Sequence, residues 1–104
     1  MTLHSETHDG HCQVQIAGEL TIYSATAIKS DLAALLDGAE LLDLALADVS
    51  EFDSAGVQVL LWLKREMAER GRPMRISSAS PSVLDVLHLL GLADDVGYAV
   101  PSPV

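Results

Sequence analysis

Asp53 and Ser54, with Gly56 two residues on, are the side chains of this chain best placed to do chemistry. A serine hydroxyl can take a phosphoryl group. An aspartate beside it can shape that acceptor or bind free backbone N–H groups. Both stand in Val49-Ser50-Glu51-Phe52-Asp53-Ser54-Ala55-Gly56. This stretch follows an apolar run at 41–47 that reads as a buried strand, and it precedes an unbroken helical pattern at 57–70. Asp53 and Ser54 therefore fall where a strand hands over to a helix. Asp or Ser there accepts a bond from the first-turn N–H groups. The helix dipole also makes the place favourable for an anion, so Ser54 sits at a position that tolerates a phosphate. A plain helix cap explains the same two residues, and that reading stays open. Gly56 lets another backbone or a partner come close.

The metal-ligating residue types give a weaker pattern. His8 and His11 flank Asp9-Gly10, a two-residue hairpin signal, and so face each other across a turn. Cys12 follows His11 directly and points to the opposite sheet face. Three ligands do not converge, whereas a structural zinc site needs about four. His4 adds little, and His88 lies opposite the buried stripe of its helix. No metal or cofactor is expected. The chain has no phosphate loop of the P-loop or dinucleotide type, and no His near Ser54 in sequence to act as its base. It reads as a kinase substrate, not an enzyme, with no catalytic residues.

The elements that must position Ser54 follow from periodicity. An edge strand is expected at 2–8. A half-buried strand follows, with Cys12, Val14 and Ile16 facing in and Gly18-Glu19-Leu20 closing it. Ser24 should cap a helix whose buried stripe is Ile28, Leu32, Leu35 and Leu36, with Gly38 as its stop. Leu42, Leu44 and Leu46 mark a central strand. The helix after the motif is apolar at Val57, Leu60, Leu61, Leu63 and Met67, and Gly71 and Pro73 end it. Trp62 is placed to fill the core or to lie partly exposed, with the core favoured. A short strand at 74–77 leads to a helix opened by Ser80-Pro81. Val83, Val86, Leu87 and Leu90 form its buried stripe, Gly91 ends it, and Leu92 folds back over it. A last edge strand is expected at 96–100, and a frayed tail at 101–104. Helices between strands imply right-handed parallel crossovers. The expected architecture is α/β: one domain over 1–104, with a small mixed sheet of four or five strands and about three helices on it.

Composition bounds the partners. Acidic residues outnumber basic ones by 15 to 6, for a net charge of −9. That argues against nucleic acid and against anionic membrane surface, and it suits a partner with a basic face. Cys12 is the only cysteine, which excludes an internal disulfide and fits a reducing compartment. Residues 1–11 are polar, without the apolar core of a secretion signal. No apolar run is long enough to span a bilayer, so no membrane insertion and a cytoplasmic location are expected. A homodimer is compatible with an exposed sheet edge or with the apolar side of the motif helix.

In this order, Gly18-Glu19-Leu20, Asp53-Ser54-Ala55-Gly56, Gly71-Arg72-Pro73 and Leu87-His88-Leu89-Leu90-Gly91-Leu92 resemble the landmarks of a STAS domain. More narrowly, they resemble the stand-alone anti-sigma factor antagonists of bacteria. The resemblance covers about residues 12–100. It implies a signal-transduction protein that switches partners to regulate transcription. A cognate serine kinase, itself the anti-sigma factor, phosphorylates the motif serine. The unphosphorylated form binds that kinase, and a phosphatase resets the switch. Carried onto this chain, Ser54 is the phosphoacceptor, Asp53 caps the helix, and Gly56 allows close docking. Ala55, Thr21, Tyr23 and Ser24 fall on the partner side. Thr21 stands where many antagonists carry an acidic residue. Thr21-Ile22-Tyr23-Ser24 is more similar to members tied to chemotaxis or other signalling clusters. The resemblance admits a second role, as the constitutive STAS subunit of a lipid-transport ABC ATPase complex, and a third, as a nucleotide-binding module.

Overall fold

The computed structural model describes residues 2–92. The expected strand at 96–100 and the tail at 101–104 lie outside the described residues. The chain opens with β1 (Thr2–His8) and β2 (His11–Leu20), an antiparallel hairpin. Asp9 and Gly10 both take positive φ, 50° and 81°, the geometry that turns two strands in two residues. α1 (Ala25–Ala33) crosses to β3 (Leu41–Phe52), which pairs parallel with β2. α2 (Ser54–Glu69) crosses to β4 (Met74–Ala79), parallel to β3, and α3 (Pro81–Leu90) follows. The strand order is β1-β2-β3-β4.

One face of the sheet builds the core. Cys12, Val14 and Ile16 of β2, Leu42, Leu44 and Leu46 of β3, and Ile76 of β4 are buried there. They meet Ile28 and Leu32 of α1, Leu60, Leu63 and Met67 of α2, and Val83 and Leu87 of α3. The other face carries Gln13, Gln15, Asp43, Ala45 and Ser77 around an open pocket. Strand residues alternate between the two faces.

Several boundaries differ from expectation for identifiable reasons. β3 runs to Phe52 and not to residue 47. Gln15 pairs with Ala45 but Ala17 with Asp48, and Gly18 pairs with Val49 but Glu19 with Glu51. At each step β3 spends one residue more than β2. Each bulge shifts the inward phase, so burial falls on Leu46, Val49 and Phe52. α1 stops at Ala33, and Gly38 closes a separate 3-10 turn at Leu36–Gly38. The carbonyls of that turn are held by Arg72, whose Nη1 donates to Leu36, Asp37 and Ala39 at 3.3, 3.0 and 3.0 Å. Leu35 is only half-buried. In α3, Leu90 is 48% exposed and leaves the buried stripe. Gly91 stops the helix at φ 66°, and Leu92 N–H returns to the Leu87 carbonyl at 2.9 Å. Trp62 is half-buried at the core's rim, with Lys29 Nζ 4.9 Å from its ring centroid.

Candidate functional site

β2 and β3 are parallel neighbours, and Leu20 pairs with Phe52 where both end. The two loops leaving them therefore emerge side by side. One leads into α1 through Thr21, Ile22, Tyr23 and Ser24. The other is Asp53 alone, followed at once by α2. α2 begins at Ser54, three residues before the expected start.

Asp53 joins the two loops. Its Oδ1 accepts from the N–H groups of Ala55 at 2.9 Å and Gly56 at 3.3 Å, capping α2. Its Oδ2 accepts from Ile22 N–H in the neighbouring loop at 3.0 Å. One carboxylate thus fixes both the helix start and the loop beside it.

The β2–α1 loop is also braced from inside. Thr21 N–H donates to Ser24 Oγ at 3.1 Å, and Ser24 Oγ donates to the Glu19 carbonyl at 2.8 Å. The Thr21 carbonyl accepts from Ser24 and Ala25 N–H. Ser24 occupies the cap position of α1, but its hydroxyl makes no capping bond, because it is turned back into the loop. Thr21 and Ser24 are both buried. They shape the surface from beneath and do not form it.

What the braced loop presents is apolar: Ile22 is 69% exposed and Tyr23 92%. Tyr23 was expected at this surface. Ile22 was not singled out, although its neighbours were. The available signal was an isoleucine with no place in either buried stripe. Ser54 is exposed at the first position of α2. Ala55 lines a shallow groove between α1 and α2, with Ala25, Thr26, Lys29, Gln58 and Val59.

Gly56 is buried. A Cβ there would lie 2.5 Å from Phe52 Cε1 and 2.7 Å from the Leu20 carbonyl oxygen. Its smallness therefore serves the packing of α2 on the ends of β2 and β3. The close approach is to this chain's own backbone.

The electrostatics of Ser54 also differ from expectation. Asp53 already takes the N–H groups of Ala55 and Gly56, and Val57 N–H bonds the Asp53 carbonyl. A phosphate on Ser54 would meet the helix dipole but not those amides, and it would stand beside a carboxylate.

His8 and His11 pair across the turn, while Cys12 is buried on the core side, so these residues diverge. Among the described residues no group of three or more His, Cys, Asp or Glu is arranged to hold a metal ion. None of the described helices is long and apolar enough to cross a membrane.

Comparison with known proteins gives this arrangement a family. A family model described as Mlab, STAS domain, matches residues 3–100. The chain belongs to the STAS domain family. This STAS domain is 27% identical over 95 residues to the anti-sigma-B factor antagonist of Bacillus subtilis, covering 91% of this chain and 87% of that one. Its fold is similar to a crystal structure of a putative anti-sigma factor antagonist from Thermotoga maritima. That match has a TM-score of 0.82 at 24% identity and covers 94% of this chain and 86% of the other. It is also similar to the Bacillus cell fate determinant SpoIIAA in its phosphorylated form. Here the TM-score is 0.71 at 19% identity, with 95% and 92% covered. The mixed sheet, four-stranded among the described residues, and the three α-helices described with it are thus the STAS fold, as the sequence landmarks implied.

Proposed function

We propose that this STAS domain is a regulatory binding module of the anti-sigma factor antagonist type, switched by phosphorylation of Ser54. It docks a serine kinase that is also an anti-sigma factor, or a related signalling kinase, and a phosphatase resets it. The observation that carries the reading is the double use of Asp53. By bonding both the α2 start and Ile22 N–H, it holds Ser54, Ile22 and Tyr23 in one rigid exposed patch. Exposed aliphatic and aromatic side chains around a neutral hydroxyl suit a partner's apolar pocket. A phosphate there adds about −1.5 to −2 charge beside Asp53. It disrupts docking while leaving the fold intact, because no buried group is touched. The relative named as an anti-sigma-B factor antagonist and the neighbour solved in a phosphorylated form support the reading. The module acts by binding, without chemistry of its own, in the cytoplasm.

The test has two parts. Mass spectrometry of the protein from its growing cells should find phosphate on Ser54. In pull-downs, Ser54→Ala should retain the wild-type partner, and Ser54→Asp should lose it. An unmodified Ser54 across growth conditions, with Ser54→Asp capturing the same partners as wild type, would sink the switch. It would favour a constitutive subunit, such as that of a lipid-transport ATPase, with Asp53 and Ser54 as helix cap only.

A further inference from the structure

One edge of the sheet is β1, seven residues long. Among the described residues no strand pairs with its outer side. Sheet edges are commonly blunted by proline, lysine or a bulge. β1 has none of these. It reads Thr2-Leu3-His4-Ser5-Glu6-Thr7-His8, and its pairing with β2 runs the whole length without a register shift. Its outer side is a regular row of backbone donors and acceptors.

The hairpin decides which of those groups face out. His8 and His11 flank the two-residue turn, so they share the turn's hydrogen bond. Antiparallel bonding alternates from there, so Glu6, His4 and Thr2 also bond β2. The N–H and C=O groups of Leu3, Ser5 and Thr7 therefore point away from β2. The side chains of these three lie on the core face, paired with Ile16, Val14 and Cys12. Those of His4 and Glu6 lie on the outer face.

We propose that two copies of this chain pair antiparallel through β1, about a two-fold axis at Ser5. The strand's own sequence selects that register. With Ser5 opposite Ser5 of the second copy, Leu3 stands opposite its Thr7, and every outward N–H and C=O of the three residues finds a partner. His4 then lies directly opposite Glu6 of the second copy, and Glu6 opposite its His4. These are the closer, non-hydrogen-bonded positions, where side chains meet. An imidazole N–H thus faces a carboxylate on each side of the axis. In the free chain the two side chains are 75% and 69% exposed and 3.8 Å apart, so neither is committed elsewhere by burial. Moving the axis to residue 4 or 6 would set His4 against His4 or Glu6 against Glu6, and would shorten the overlap. Glu6 is the only acidic residue of β1, so the net charge of −9 resides mostly away from this edge. The contact is isologous and closes as a dimer. β2 reverses direction across the axis, so the two Ser54 patches lie at opposite ends of the joint sheet. The dimer stands or falls independently of the Ser54 reading.

The experiment is sedimentation equilibrium of the full chain from micromolar to millimolar concentration, with amide exchange measured at both ends of the range. The mass should rise from one chain to two. Exchange at Leu3, Ser5 and Thr7 should slow as the dimer forms, while His4 and Glu6 amides, already bonded to β2, should not change. Ser5→Pro removes an outward N–H without touching the β2 ladder, and should abolish the dimer. His4→Glu changes an exposed side chain only. It sets carboxylates opposite one another at both symmetric pairs, and should weaken association about tenfold. The double variant His4→Glu with Glu6→His exchanges the two partners and should restore it. A mass of one chain throughout would overturn the proposal and leave β1 to a strand of some other protein. A dimer indifferent to both Ser5→Pro and His4→Glu would overturn it too, and would place the contact elsewhere, as on α2. So would masses that grow past two chains, since an isologous edge contact closes at two.

Discussion

Asp43 and Asp53 are ten residues apart, one inside β3 and one just past its end, and the fold uses them in opposite ways. Asp53 is half-buried and accepts three backbone N–H groups, from Ala55, Gly56 and Ile22. Every one of those donors has a fixed position, so the carboxylate acts as a joint between two loops. Asp43 is more deeply buried, yet no backbone group bonds its side chain: Oδ2 takes Arg75 Nε at 2.9 Å, with His11 Nε2 3.6 Å away, and Oδ1 has no hydrogen bond. A satisfied carboxylate at a strand end is framework. One held only by side chains of neighbouring strands is a looser fixture. The difference teaches that burial alone does not mark a structural aspartate; the accounting of its lone pairs does.

If that contrast is right, the less buried aspartate matters more for stability. Asp53→Ala removes the α2 cap and the link to Ile22 together, and should cost about 2 kcal/mol in denaturant unfolding. Amide exchange should quicken at Ile22, Ala55 and Gly56. Asp53→Asn should recover most of the loss, since Asn caps as well as Asp. Asp43→Leu should change stability by less than about 1 kcal/mol in either direction. It frees an Arg75 that water can reach and removes an unpaired oxygen. An Asp43→Leu chain destabilised more than Asp53→Ala would reverse the comparison and make Asp43 the structural residue.

The sequence made the motif corner legible because local chemistry dominates there. The type of residue 53, its place after an apolar run and the helical pattern behind it all pointed to a cap. The cap is what the structure shows. The turn at Asp9-Gly10 and the stop at Gly91 were legible for the same reason: both need a particular backbone angle. The second half of β3 was not. Two bulges move its inward residues from every second position to 46, 49 and 52, and the period of two that marks a strand is lost. Arg72 was legible as a landmark but not as the clamp on the 3-10 turn, because its partners lie more than thirty residues away. The link from Asp53 to Ile22 was hidden in the same way. It depends on β2 and β3 ending in register, which is a property of the sheet and not of either segment. Asp43 gave no signal at all. Within an alternating strand it looked like an ordinary outward residue, and only the neighbouring strands bury it.

The smallest stability effect should come from the residues most exposed at the Ser54 patch. Ile22 and Tyr23 bury little, and the loop that carries them is held by backbone bonds from Asp53, Thr21 and Ser24. Replacing both with Ser should therefore alter unfolding free energy by no more than about 0.5 kcal/mol, as for surface positions in general. Partner capture should fall sharply all the same, because exposed aromatic and aliphatic side chains on a rigid loop are the usual anchors of an interface. The two readouts must separate. A double variant that unfolds early would mean these side chains support the loop, contrary to the hydrogen-bond pattern. One that is stable and still captures its partner would move the interface off this loop, towards the α1–α2 groove that Lys29 and Gln58 line. The joint made by Asp53 then would still fix the geometry of Ser54, but not the surface that reads it.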